Sequence, residues 1–226
     1  MRFRTILMDP PWRYDSPGWK GGADKEYDTL PVEAIQKFPI HELVEDSAHL
    51  WMWTTDTHNE AAVEIAESWG FRKLGTWTWF KLCQKPLDLS KKQDRERLEK
   101  ARREGEPVVE WNGHKWLMAW GNGYYGRSVW EALVLFGRGK NLVHASHKAR
   151  QTRKYIVAPV REHSAKPYES IELVRRYSPK DRLECFAREV NPGFYAWGNE
   201  VNDYHHPALD EWSEWARLTY QTQKAV

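Results

Sequence analysis

Asp9-Pro10-Pro11-Trp12 follows directly on the run Thr5-Ile6-Leu7-Met8. The run is short, apolar and partly β-branched, which predicts a strand buried in a sheet. Two prolines end it, because neither can donate to a sheet ladder. A carboxylate, a rigid backbone with free carbonyls and a flat aromatic ring are thereby fixed at a strand's carboxyl end. In open α/β sheets that is where ligands bind. The set suits a planar substrate amine: Asp9 and the Pro10 carbonyl can accept its two N–H bonds, and Pro11 or Trp12 can stack on its ring. Asp-Pro is also a common turn opener, so the rest of the chain must decide between a site and a plain turn.

Three later segments carry matching chemistry. His163-Ser164-Ala165-Lys166-Pro167 lies between a predicted strand and a predicted helix. A lysine there can meet a carboxylate beside the helix N-terminus. Glu184-Cys185-Phe186-Ala187-Arg188 reads as a second buried strand with a charge at its carboxyl end. Asn191 and Gly198-Asn199-Glu200 follow, and together with Arg188 they offer donors and acceptors for a ribose diol and a purine edge. Gly121-Asn122-Gly123-Tyr124-Tyr125-Gly126 has G-x-G-x-x-G spacing. A dinucleotide fingerprint needs a strand before it and a helix after it; here a strand follows, so a Gly/Tyr loop touching substrate is the better reading.

The elements needed to position these groups alternate strand and helix, which predicts an α/β fold. Expected strands are 5–8, 49–53, 73–82, 132–136, 156–160, 182–187 and 194–197. Expected helices open at Pro31, at the capping box Thr57-His58-Asn59-Glu60, at Pro167 and near Leu209. Trp51, Trp53, Trp77 and Trp79 alternate with the period of a strand and belong to the core. Residues 14–28, polar and rich in glycine, read as an active-site loop. Residues 84–118 break the alternation. Lys91 to Glu104 is almost wholly charged with the signs interleaved, so the segment reads as a surface insertion carrying a solvated helix.

Composition narrows the partners. The 226 residues suit one domain with an insertion, and mean hydropathy of −0.80 with 29% charged residues excludes a membrane-spanning chain. The start is expected to carry no signal peptide. Cys83 and Cys185 are isolated, without C-x-x-C spacing, and fit reduced thiols in a cytosol; no metal site is expected. Net charge is only +2, but Arg127, Arg138, Lys140, Lys148, Arg150, Arg153 and Lys154 share their stretch with a single acid, Glu131. Such a stripe is the footprint of phosphate contact. Of the fourteen tryptophans, Trp19, Trp111 and Trp116 lie in polar segments where they could stack on bases.

Taken in order, Asp9–Trp12, His163–Pro167, Glu184–Arg188 and Gly198–Glu200 resemble the N6-adenine methyltransferases typified by the catalytic subunit of the eukaryotic mRNA adenosine methyltransferase, a family with many bacterial and phage DNA-acting members. The resemblance covers roughly 5–82 and 120–201. It implies a Rossmann-like sheet that uses S-adenosylmethionine, with the catalytic tetrad ahead of the cofactor segments in a permuted order. It also implies that Asp9 and Pro10 hold the adenine N6, with Pro11 and Trp12 completing the tetrad. Tyr27 matches the substrate-loop tyrosine and Glu131 an acid on the acceptor side. Lys166 matches the lysine at the cofactor's methionine end, where Asp9 also borders the cofactor. Phe186, Arg188, Asn191, Asn199 and Glu200 match the surroundings of its ribose and adenine. Two positions depart from the pattern: Val190 stands in place of a histidine, and Glu200 in place of a glutamine.

The expected reaction is methyl transfer to the N6 amine of adenine, with DNA as acceptor and Arg138, Lys140, Arg150 and Arg153 on its phosphates. An RNA adenosine acceptor, a catalytically inactive nucleic-acid-binding partner of the same fold, and a small-molecule methyltransferase are the alternatives. Residues 84–118 are the expected target-recognition element, 202–226 a tail, and homodimer or heterodimer formation is compatible with the reading. A cytoplasmic location, on the nucleoid if the source is bacterial, goes with it.

Overall fold

The computed structural model describes residues 1–14, 29–121, 126–140, 151–162, 165–201 and 203–221. Among these described residues, nine strands and six α-helices follow in chain order: β1 Phe3–Met8, α1 Val32–Gln36, α2 Ile40–Leu43, β2 Val44–Thr54, α3 Asn59–Ser68, β3 Arg72–Leu82, α4 Lys92–Arg103, β4 Val108–Trp111, β5 His114–Leu117, β6 Trp130–Arg138, β7 Tyr155–Pro159, α5 Tyr168–Tyr177, β8 Arg182–Cys185, β9 Tyr195–Trp197 and α6 Pro207–Ala216.

Seven strands form one mixed sheet in the order β7-β3-β6-β2-β1-β8-β9, and β4 and β5 pair separately. β1 lies parallel to both β2 and β8, while β6 runs antiparallel to its neighbours β2 and β3. The carboxyl ends of β1, β2, β3, β7 and β8 and the amino end of β6 therefore share one edge.

Side chains alternate across this sheet with period two. Ile6, Met8, Leu50, Met52, Val134 and Phe136 point into one core with α1, α2, α3 and α6. Leu7, Trp51, Trp53, Trp77, Trp79, Leu133 and Leu135 fill the other, under Ile171, Val174 and Tyr177 of α5. The four alternating tryptophans are core residues, as their spacing predicts, each contributing on the order of 2–3 kcal/mol of burial. α6 belongs to the main core rather than to a free tail: Leu209 and Trp212 are buried, and the Trp212 indole donates to the Ala34 carbonyl at 3.1 Å. His206 of the His205-His206 pair caps this helix, its Nδ1 accepting from Ala208 N at 3.3 Å.

Two local expectations change. Thr57 does not cap α3; it sits inside a 3-10 turn, Asp56–His58, and His58 precedes the helix without a side-chain cap. That turn places the His58 ring beneath Trp12 (ring centroids 5.0 Å apart, 18° between planes). The segment 84–118 also holds more than a solvated helix. Asn112-Gly113, at φ of 50° and 76°, closes a β4–β5 hairpin, the backbone geometry that an Asn-Gly turn supplies. Leu98 and Ala101 of α4 are buried, as are Leu87 and Trp116 nearby. Backbone bonds from Cys83 to Leu117, from Leu87 to Lys115 and from Ala119 to Lys81 fix the segment to the end of β3.

Among the described residues no helix is long and apolar enough to cross a membrane. Cys83 and Cys185 are both unpaired thiols.

Candidate active site

β1 delivers Asp9 to the shared edge, and the two prolines turn the chain there. Trp12 N donates to the Pro10 carbonyl at 2.8 Å, and Leu30 N to that of Pro11 at 2.7 Å. Each carbonyl keeps a second lone pair. Trp12 itself goes inward. It is only 5% exposed, and its indole donates to the Trp53 carbonyl at 3.1 Å. It therefore anchors the turn to β2 and is not open to stack on a substrate ring.

Asp9 meets Lys166 across the edge, Oδ2 to Nζ at 2.7 Å. Lys166 also reaches Glu131 Oε2 at 3.3 Å, and Glu131 Oε1 lies 2.7 Å from Lys81 Nζ. The chain Asp9–Lys166–Glu131–Lys81 thus alternates in sign and sums to zero. Lys166 stands just before α5, Glu131 near the start of β6, and Lys81 near the end of β3. Burial would lower the Lys166 amine, but Asp9 and Glu131 outweigh it and hold the ammonium above its ordinary range. Burial likewise works to raise Glu131, and Lys166 and Lys81 overcome it, so its carboxyl sits below the usual range. For Asp9 burial prevails over Lys166 and the carboxyl is raised, although 35% of its side-chain surface remains open.

A cleft runs from Asp9 and Trp53 to Glu184, Phe186, Arg188 and Asn191. Glu184 comes from β8, beside Leu7 of β1. Burial, reinforced by Asp9 and Glu189, pushes its carboxyl up to about 7, against the bond it accepts from Asn191 Nδ2 at 2.9 Å. Phe186 takes φ of 61° immediately after β8. A left-handed aromatic residue is uncommon and costs energy, which is the kind of strain that gathers at ligand sites. Arg188 Nε is 3.8 Å from Glu200 Oε1, and Asn199 and Glu200 are exposed on the following loop. That loop packs against backbone: a Cβ on Gly198 would fall 2.1 Å from the Ala187 carbonyl oxygen.

The structure thus gathers Asp9, Pro10, Glu131, Lys166, Phe186, Arg188 and Asn191 at one edge. It does not gather the basic stripe. Seven residue steps of β6 separate Glu131 from Arg138, about 24 Å along an antiparallel strand. Arg138 sits over the Phe71 ring (5.6 Å to its centroid) and near His41, at the opposite edge from Asp9. Lys140 follows it there, exposed. Arg153 is exposed before β7, where Lys154 covers Trp77. Trp116 is buried and donates to the Trp111 carbonyl at 3.1 Å. Trp19, Tyr27, Gly123, Arg150 and His163 lie outside the described residues.

The candidate site also takes in Lys81 and Glu184, to which the motifs assign no role. Each is a lone charge near the end of an apolar strand, which was the available signal. Arg161 was missed as well; it ties the loop before α5 to Glu189 at 2.9 Å and to the Lys166 carbonyl at 2.9 Å.

The site fits an adenosyl group carrying an amino acid. It offers an apolar floor at Phe186 and Trp53, an amide at Asn191, a guanidinium at Arg188, and the cation Lys166 beside two carboxylates. Among the described residues no cluster of His, Cys, Asp or Glu is arranged to hold a metal.

Comparison with known proteins agrees with this chemistry. The profile of the MT-A70 family matches residues 3–104 and 113–200, so only 105–112 of the 84–118 segment falls outside it. A Mycoplasma type II methyltransferase, M.MunI, is 25% identical across 89% of this chain and 79% of its own length. The human N(6)-adenine-specific methyltransferase METTL4 is 26% identical across 90% of this chain but 38% of its own. The Cryphonectria parasitica N6-methyladenosine RNA methyltransferase MTA1 is 25% identical across 91% of this chain and 53% of its own. The chain spans about two-fifths and about half of the length of these two eukaryotic relatives. Its own profile match covers most of its length, and the chain belongs to the MT-A70 family of S-adenosylmethionine-dependent adenine N6-methyltransferases.

Proposed function

We propose that the acceptor is adenine in DNA and that Asp9, at the end of β1, orients its N6 amine. The observation that carries the reading is the placement of Asp9, paired with Lys166, at the mouth of the cleft lined by Glu184, Phe186, Arg188 and Asn191. The fuller two-way coverage of the type II methyltransferase supports DNA over RNA. The order of tetrad first and cofactor segments later supports a permuted Rossmann-like sheet.

S-adenosylmethionine, when bound, supplies a methyl on a sulfonium, whose departure as a thioether needs no acid. The residues' task is the weak nucleophile. The N6 lone pair is conjugated with the purine ring, and N–H bonds accepted by Asp9 and by the free lone pair of the Pro10 carbonyl favour a pyramidal nitrogen that can attack in line. Lys166, at 2.7 Å, favours the anionic form of Asp9 against its burial, so Asp9 acts by orientation and charge. The surplus N6 proton leaves late, toward the carboxylate or solvent. Lys166, Phe186, Arg188, Asn191, Asn199 and Glu200 hold the cofactor, and Trp12 acts by bracing the turn. A duplex adenine must be extruded to reach Asp9.

Asp9→Ala should lower single-turnover transfer by about a thousandfold or more, since a transition-state hydrogen bond and orientation are both lost. A rate within tenfold of wild type would overturn the assignment. Mass analysis of digested nucleosides decides the acceptor: N6-methyldeoxyadenosine is expected, and product confined to RNA refutes DNA. We also propose that residues 84–118 recognise the target. Replacing 86–116 by a short Gly/Ser linker should spare cofactor binding and change site choice or target affinity; unaltered sites at an unaltered rate would remove that role.

A further inference from the structure

Fourteen tryptophans are present, and nearly all those described are buried or partly buried; Trp120 is the exposed one among them, at 47%. Its place is specific. Ala119 N donates to the Lys81 carbonyl at 2.8 Å, and Gly121 N to that of Ser128 at 2.8 Å. Trp120 therefore stands between two residues pinned to the catalytic edge, next to the strand end that carries Lys81 to Glu131. The Arg127 guanidinium lies over its ring, 3.7 Å from the centroid. A guanidinium on one face braces the indole and brings positive charge to the rim. A half-exposed aromatic ring, backed by a cation and set beside the edge that carries Asp9, is a combination that can meet stacked bases beside a phosphate backbone.

We propose that Trp120, braced by Arg127, stacks on the duplex bases left behind when the target adenine is extruded toward Asp9. The inference rests on the reading of DNA as acceptor. Extrusion costs the duplex its stacking and pairing, and an aromatic ring at the vacated step returns part of that cost. In single-stranded DNA there is no duplex stack to open, so the contribution of Trp120 shrinks there. Arg127 keeps its donor edge for a neighbouring phosphate while its face covers the indole.

The test uses the full chain and genomic DNA lacking N6-methyladenine, which presents every short target, as native duplex and as heat-denatured strands. Methyl incorporation is followed for wild type, Trp120→Ala and Trp120→Phe, with S-adenosylmethionine binding by calorimetry to verify the fold. Trp120→Ala should lose about tenfold or more on duplex and less than about twofold on denatured strands, and Trp120→Phe should fall between it and wild type on duplex. Unchanged duplex activity in Trp120→Ala, or an equal loss on both forms, overturns the inference while leaving DNA as acceptor. If Trp120→Ala no longer binds cofactor, Trp120→Phe decides alone: a loss confined to duplex supports the proposal, and any other pattern refutes it. A wild-type protein that methylates neither form overturns the acceptor reading and this inference together.

Discussion

Lys81→Met removes one charge from the end of the Asp9–Lys166–Glu131–Lys81 chain and keeps nearly the same volume. Lys81 and Glu131 are 2.7 Å apart, with side-chain exposures of 14% and 17%. Stranding one member of such a buried pair costs roughly 3–5 kcal/mol. Glu131 still has Lys166 at 3.3 Å, so about half of that is expected, roughly 2 kcal/mol of stability at neutral pH. The sign with pH follows from Glu131. Its folded carboxyl lies below its ordinary value because Lys166 and Lys81 together overcome burial. Its stabilising share is full above the unfolded value near 4.5 and disappears as pH falls through the folded one. Without Lys81 the carboxyl rises, so the penalty should be full at neutral pH and fade below pH of about 4.5.

Activity should respond through the same chain. Glu131 then competes harder for Lys166, Asp9 is less well neutralised, and its raised carboxyl rises further. Turnover should fall about tenfold, equivalent to about 1.4 kcal/mol, and the acid limb of the pH–rate profile should move to higher pH. Thermal melts and single-turnover rates across the pH range check both, with Lys81→Arg as the charge-preserving control and Lys81→Met/Glu131→Gln as the double variant. A melting penalty that is constant with pH, or equally large in the Glu131→Gln background, would refute the reasoning.

Glu184 titrates at about 7 in the folded protein against 4.5 in the unfolded chain, so its ionisation costs stability, beginning above 4.5 and complete above 7. Glu184→Gln should therefore melt higher than wild type near pH 8, by on the order of 2–3 kcal/mol at most, and show little such gain near pH 5; an equal gain at both pH values refutes the assignment. DNA affinity should fall with salt. Arg127→Gln should lessen the log–log slope by about 0.9, one phosphate contact, whereas Arg138→Gln at the far edge should leave it unchanged. Equal effects from the two would mean that the binding face is not the edge carrying Asp9.

Much of this site was legible because strand ends are legible. The apolar run before Asp9, the lone lysine before Pro167 and the charges closing β8 each mark a local boundary, and in an α/β sheet local boundaries fall on the same edge. What was not legible depends on contacts distant in sequence. Lys81 and Glu131 are ordinary charges until β3 and β6 pair antiparallel. The basic stripe is continuous only along the chain; β6 crosses the whole sheet and carries Arg138 to the wrong edge for Asp9. Trp12 looked like a stacking ring because nothing local showed that Trp53 and His58 would claim it. The Asn112-Gly113 hairpin was readable from its turn chemistry but was hidden by the charged helix before it.

The four-charge chain also explains why a carboxylate suited to orientation can sit in a cleft that favours neutral acids. Burial raises Asp9 and Glu184 alike, yet only Asp9 has an ammonium at 2.7 Å. Lys166 can serve it because Glu131 holds Lys166 in place, and Glu131 can do so because Lys81 offsets its own burial. Each charge is tolerated through the next, out to a lysine near the end of β3. Glu184, which accepts from the Asn191 amide, takes the opposite course and is pushed up to about 7 by burial. Two carboxylates on adjacent strands are thereby held by different partners, an ammonium for Asp9 and an amide for Glu184. One can accept hydrogen bonds from an adenine amine, and the other, when protonated, can donate one to a ribose or carboxylate oxygen.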